Sequence, residues 1–255
     1  MITSAENKKI KNVIHLLEKS KARKEQDAFV SEGIKMFEEA PLSDILEVYV
    51  SEDYKGPDEK LKQVKYEVVE AGVFKKMADT LTPQGILCVL KKKHYDLDFL
   101  LQREDNGLYL VLETVQDPGN LGTIMRTAEG AGVTGVIMSS DTVDIYNPKT
   151  VRSTMGSIFR VPFIYTDDLD KTIRTLKTSG VTCYAAHLKG TKTCYEEDYG
   201  KPTAFFIGNE GNGLSEETAD LADSYIKIPM GGKLESLNAA VSAAILMYEA
   251  KRQRL

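Results

Sequence analysis

Long apolar runs are missing from this 255-residue chain. None approaches the roughly 18 residues that a membrane-spanning helix requires. The N-terminal stretch MITSAENKKIKNVIHLLEKSKARK has lysines but no uninterrupted apolar core of the signal-peptide kind. Cysteine is scarce as well: Cys88, Cys183 and Cys194 form no CxxC pair and are odd in number. Without an export signal, reduced thiols in a cytoplasmic protein are expected. The three histidines, His15, His94 and His187, lie far apart and read as surface or packing residues, so no metal site is expected. At the exit of the first strand of the second region, the spacing Gly119…Gly122 is not that of GxGxxG, and the next strand ends in SSD without a ribose-binding acid in place. That excludes the usual nicotinamide-dinucleotide fingerprint. There is also no internal repeat and no low-complexity segment.

What is present is ordinary for a globular protein: 42% hydrophobic and 28% charged residues, with a net charge of −5. A net negative chain does not bind nucleic acid through its whole surface. The charge is uneven, however. Residues 1–24 hold Lys8, Lys9, Lys11, Lys19, Lys21, Arg23 and Lys24 against Glu6 and Glu18, and Lys91, Lys92 and Lys93 form a second cluster. These patches fit either solvated helix faces or a local contact with a polyanion.

Two regions can be told apart. An amphipathic helix near 4–21 is followed by short strand-like runs at 28–32, 46–51, 65–69 and 85–90, with helical patterns between them, which predicts a small α/β unit. The polar stretch KKKHYDLDFLLQREDNG ends in Asn-Gly and reads as a connection. The expected division is residues 1–100, a linker at 101–107, and residues 108–255. The second region opens with the apolar run LYLVLETV and then alternates strands with helices at 121–131, 148–158, 167–179, 215–222 and 238–253. This is the pattern of a mainly parallel sheet covered on both faces.

In such sheets ligands sit beyond the carboxyl ends of the strands, and three strand exits here are rich in glycine and polar residues. In QDPGNLGTIMRTAEGAG, Asn120 is placed to cap the following helix, and Arg126 lies in its second turn, either as a surface residue or as a functional one. In FFIGNEGNGLSEET, Glu210 stands between flexible glycines at the exit of a wholly apolar strand, a position that suits a functional acid. In IPMGGKLESLNAAVSAAILMYEA, Ser236 or Asn238 can cap the last helix, whose apolar positions 237, 241, 244, 245 and 248 follow helical spacing. One polar residue and the Met230-Gly231-Gly232 turn are then left without a structural reason.

Taken together and in this order, the three stretches resemble the three sequence motifs of the SpoU/TrmH family of RNA 2′-O-ribose methyltransferases, over residues 108–255 almost continuously. The N-terminal part resembles that family's RNA substrate-binding domain, related in fold to ribosomal proteins, although QDAFVSEG departs from the more frequent Gly-x-Phe-x-Val-Glu-Gly. The resemblance implies an α/β fold with a C-terminal parallel-sheet domain tied in a trefoil knot. It also implies S-adenosylmethionine as methyl donor and a homodimer with its site at the subunit interface. It assigns Asn120, Arg126, Glu210, Ser236 and Asn238 to catalysis, and Leu188, Gly208, Asn209, Gly211, Ile228, Met230 and Leu237 to the cofactor. Lys8, Lys9, Lys21, Arg23 and Lys24 become candidate phosphate contacts. Ribosomal RNA is the expected substrate, with tRNA as the alternative. A non-catalytic RNA-binding assembly factor is the reading from another class.

Overall fold

A computed structural model describes all 255 residues. The chain forms two compact units, one of residues 1–93 with 144–159, the other of residues 94–143 with 160–255.

The first unit begins with α1 (Lys8–Glu18), capped by Asn7, whose side chain accepts from the Lys9 N–H at 2.9 Å. The single helix expected over 4–21 is two: Lys19 turns extended (φ −116°, ψ 112°), and α2 (Ser20–Glu25) starts afresh. The elements that follow are β1 (Ala28–Glu32), α3 (Ile34–Glu39), β2 (Ile45–Ser51), β3 (Glu67–Val69), α4 (Ala71–Met77) and β4 (Ile86–Lys91). The sheet order is β1-β4-β2-β3, antiparallel except for the β2–β3 pair. Ile10, Val13 and Leu16, at helical spacing on α1, are fully buried against Val30, Tyr49, Phe74, Leu87 and their neighbours.

The second unit holds α5 (Leu97–Leu101), inside the stretch read as a connection, then β5 (Leu108–Leu112), α6 (Pro118–Ala131) and β6 (Gly135–Ser139). After α7 (Pro148–Ser153), which belongs to the first unit, come β7 (Phe163–Thr166), α8 (Leu169–Thr178), β8 (Thr182–Ala186), β9 (Lys192–Thr193), β10 (Thr203–Ile207), α9 (Glu216–Ala219), β11 (Ser224–Lys227) and α10 (Ala239–Gln253). All six pairings of the seven-stranded sheet are parallel, in the order β7-β6-β5-β10-β8-β11-β9. β5 and β10 are central and buried along their whole length, as continuous apolar strands covered on both faces must be. Gly132 ends α6 in the left-handed region (φ 81°), where a side chain would be strained.

The excursion 144–159 differs from the sequence reading, which ran the second domain unbroken from residue 108. The Tyr146 ring lies 4.6 Å from that of Phe29, and its hydroxyl accepts from the Lys93 N–H at 2.8 Å. Asp144 accepts from Arg23 Nε and Nη2 at 2.9 and 2.8 Å. A helix that alternates in sequence with parallel strands is indistinguishable by period from one that covers them, so only tertiary packing decides where it goes.

Candidate functional site at the carboxyl strand ends

The loop after β5 enters α6 through Asp117, not Asn120. The Asp117 carboxylate accepts from the Asn120 N–H at 2.8 Å, and Pro118 fills the first helical position, where its missing N–H costs nothing. This corrects the capping role expected of Asn120 and frees its side chain for another task.

That task is a link across all three loops. The Asn120 amide donates to Glu210 Oε1 at 2.9 Å, and Asn238 Nδ2 donates to Asn120 Oδ1, also at 2.9 Å. Glu210 further accepts from the backbone N–H groups of Gln116 and Asp117, both at 3.1 Å. Partial burial alone would raise the Glu210 carboxyl, but the bonds from Asn120, Gln116 and Asp117 outweigh it and hold the group below its ordinary value. Asn238 caps α10, its oxygen accepting from Ala240 N at 2.9 Å and Val241 N at 3.3 Å. An amide has two N–H donors, so Asn120 and Asn238 each keep one free while the rest of each group holds the loops together.

Beside this link lies a cavity of about 360 Å³, at the ends of β8, β10 and β11. Leu188, Gly208, Asn209, Gly211, Ile228, Met230 and Leu237 all line it, as do Glu210, Ser236 and His187. Gly208 permits this shape: a Cβ there would sit 2.1 Å from the Gly213 carbonyl carbon, so the hairpin 208–213 could not close on itself with any side chain. Asn209 pins the hairpin, accepting from Gly211 N at 2.8 Å and donating to Thr114 O at 2.8 Å. His187 packs on Tyr225 at 5.1 Å between ring centres and also borders the cavity.

Arg126 stands apart. It projects from α6 into solvent, outside both the cavity lining and the Glu210–Asn120–Asn238 link. The last helix brings a second surprise. Its buried residues are Ala239, Ala240, Ala243, Leu246, Met247, Glu249 and Ala250, whereas Val241 is 47% and Tyr248 50% exposed, with Ala244 and Ile245 half-buried between them. α10 is apolar nearly all round, so the spacing that marked it as a helix picks out its outward face.

In the first unit, Lys8, Lys9, Lys21 and Lys24 are exposed. Lys9 pairs with Glu67 at 2.6 Å and Lys21 with Glu25 at 3.7 Å. Arg23 must be removed from the candidate phosphate contacts: it is buried, paired with Asp144, and donates to Leu16 O and Leu17 O at 2.7 and 3.0 Å.

One acid escaped the sequence reading. Glu113, at the end of β5, accepts from Ser215 N at 2.8 Å and Ser215 Oγ at 2.7 Å, and also from Thr218 Oγ1, seating the first turn of α9. The signal that singled out Glu210, a carboxylate at the exit of an apolar strand, applies equally to Glu113.

Comparison with known proteins agrees with this geometry. Residues 107–248 match the SpoU rRNA Methylase family, and residues 7–88 match the MRM3-like substrate binding domain. Over 249 residues, covering 97% of each chain, the sequence is 33% identical to the Bacillus subtilis 23S rRNA (guanosine(2553)-2′-O)-methyltransferase RlmP. The crystal structure of an AdoMet-bound rRNA methyltransferase from Sinorhizobium meliloti superposes with a TM-score of 0.88 at 32% identity, covering 100% of this chain and 98% of that one. The TrmH/SpoU tRNA-modifying enzyme of A. aeolicus, also 32% identical, covers 62% of this chain and 80% of its own, with a TM-score of 0.54. With a family match across more than half its length, and with the three motif loops joined at one set of strand ends, the chain belongs to the SpoU rRNA methylase family.

Proposed function

We propose that the protein transfers a methyl group from S-adenosylmethionine to a ribose 2′-hydroxyl of ribosomal RNA. The observation that carries this reading is the Glu210–Asn120–Asn238 link at the rim of the cavity, which ties the three family motifs into one polar surface. The lining fits the cofactor: Leu188, Ile228, Met230 and Leu237 offer apolar surface, and the carboxylates of Glu210 and Glu235 suit a cationic sulfonium. Bound, S-adenosylmethionine supplies an electrophilic methyl group. Ribose 2′-hydroxyl is a weak acid, so the protein must stabilise the charge that develops on its oxygen. Arg126, with a planar guanidinium of N–H donors and no acceptor, fits that role and the clamping of an adjacent phosphate better than the role of base. Ser236, exposed on the lining, and the spare amide hydrogens of Asn120 and Asn238 are the groups that can orient the ribose. Much of the rate then comes from alignment, since methyl transfer needs in-line geometry.

Because Arg126 lies outside the cavity lining, a second copy of the chain is part of the reading. The exposed Val241 and Tyr248, with half-buried Ile245 between them on α10, support a homodimer formed through this face. The trefoil knot implied by the family resemblance belongs to the same proposal. Residues 1–93 would bind the RNA, in line with the substrate-binding domain they match. Ribosomal RNA is favoured over tRNA because the rRNA enzyme of S. meliloti covers the full chain, whereas the tRNA-modifying one covers 62% of it. The test is transfer of labelled methyl to separated rRNA and tRNA pools, with mapping of the modified ribose. Label in rRNA at a 2′-oxygen is expected. Label in tRNA alone would change the substrate, and cofactor binding without any transfer would turn the reading into a non-catalytic RNA-binding factor.

A further inference from the structure

Thr114 occupies a backbone conformation that its side chain opposes. Its φ is +56°, in the left-handed region, where a β-branched residue is a true outlier. Such strain persists only where the surroundings over-determine it, and three bonds do so here. The Thr114 N–H donates to Ser139 Oγ at 2.8 Å, and its hydroxyl donates to Asp141 Oδ2 at 2.8 Å. Its carbonyl accepts from Asn209 Nδ2 at 2.8 Å. Asp141 is itself braced, accepting from Ser139 Oγ at 2.5 Å and from Gln116 Nε2, through its carbonyl, at 2.6 Å. The reversal at Thr114 separates two opposite tasks of one strand end. Glu113 reaches α9, while the N–H groups of Gln116 and Asp117 both turn to Glu210.

We propose that Thr114 is a positioning residue: its left-handed backbone, braced by Ser139 and Asp141, aims the Gln116 and Asp117 N–H groups at Glu210 and so sets the cavity hairpin in register with Asn120 and Asn238. The role rests on the reading of this site as a methyl-transfer centre. What matters is the backbone angle, with the threonine hydroxyl as a brace. Glycine adopts that angle freely, whereas proline, with φ locked near about −65°, cannot adopt it at all.

The experiment compares Thr114→Gly, Thr114→Pro and Asp141→Asn with the unaltered full chain. The first readout needs no cofactor and no RNA: titration of the Glu210 carboxyl by carbon-detected NMR. In the unaltered chain and in Thr114→Gly the carboxyl should titrate below the ordinary glutamate value. In Thr114→Pro, and partly in Asp141→Asn, it should move up towards that value. The second readout is single-turnover methyl transfer. It should stay within about threefold in Thr114→Gly and fall at least about a hundredfold in Thr114→Pro, with cofactor affinity changed less than the rate. If Thr114→Pro does not fold, Asp141→Asn decides, with an upward Glu210 titration and a rate loss of about tenfold expected. A normal Glu210 titration in every folded variant would overturn the proposal, as would a folded Thr114→Gly that titrates like Thr114→Pro. An unaltered chain without methyl transfer would overturn the proposed function instead, and the Glu210 titration would still judge the role of Thr114.

Discussion

Arg23 and Arg126 are the same residue type, one in each unit, held in opposite ways. Arg23, in the first unit, is 4% exposed, bonded to one carboxylate and two helix carbonyls, and is spent on holding α2 to Asp144. Arg126, in the second, stands in solvent, outside the link of two amides and one carboxylate. A basic segment in the sequence is therefore a poor guide to available charge. Both units tie cations into pairs, such as Lys9–Glu67 and Arg152–Asp79 in the first and Lys177–Asp223 and Arg252–Glu249 in the second; what sets the second apart is the half-used amides of Asn120 and Asn238 at its strand ends.

The strongest way to break this contrast is at the C-terminus. Removing residues 241–255 takes away Leu246, Met247 and Ala250, all fully buried, and Arg254, which donates to Tyr199 O, Asn106 O and Lys201 O. Each large apolar loss costs about 2–5 kcal/mol, so the total rivals the whole stability of a domain, about 5–15 kcal/mol. Hydrogen exchange should show the Leu110 and Phe205 amides unprotected, and full protection would make this end a dispensable tail.

Next in size is Arg126→Ala, expected to lower methyl transfer by about 10³-fold, or about 4 kcal/mol, with cofactor binding within about threefold. Equal loss of both would remove Arg126 from the chemistry. Arg23→Ala should do the reverse, costing about 3 kcal/mol in urea unfolding because it breaks a largely buried pair. Lys8→Ala and Lys24→Ala should stay within about 0.5 kcal/mol. If Arg23→Ala were equally silent, its burial would carry no energetic weight.

Tyr248→Glu should weaken self-association at least about tenfold, or about 1.4 kcal/mol, seen by mass photometry, without unfolding the chain. An unchanged mass distribution would place the dimer face elsewhere. The smallest effect is that of pH. The Glu210 carboxyl is depressed in the folded state, so the order it contributes is fully present above the unfolded glutamate value of about 4.3 and is lost as pH falls through the lower folded value. The side-chain amide signals of Asn120 and Asn238 should therefore shift together only below about pH 4.3; a shift above pH 5 would mean that Glu210 does not hold them.

The parallel sheet was legible because β5 and β10 are unbroken apolar runs and because glycine-rich stretches follow their ends. Of the residues that gather around the cavity, Glu210, Met230 and Ser236 stood out by type and place, whereas Leu188, Ile228 and Leu237 came from the family resemblance alone. The roles within the site were less legible. Asp117 and Asn120 are both good caps by type, and which one caps depends on where the chain enters α6. The outward face of α10 could not be told from its inward face, because both are apolar.

By itself, then, the sequence determined most of the local elements and the identity of the polar residues at three strand exits, since these follow from residue periodicity and type. Only tertiary structure decided that residues 144–159 pack with the first unit, that Arg23 is buried while Arg126 stays in solvent, and that a strained threonine sets the course of the loop to Glu210. The burial of Arg23 and the course at Thr114 depend on partners between 25 and 121 residues away along the chain, from Ser139 beneath Thr114 to Asp144 beside Arg23, and no local pattern encodes a partner at that distance.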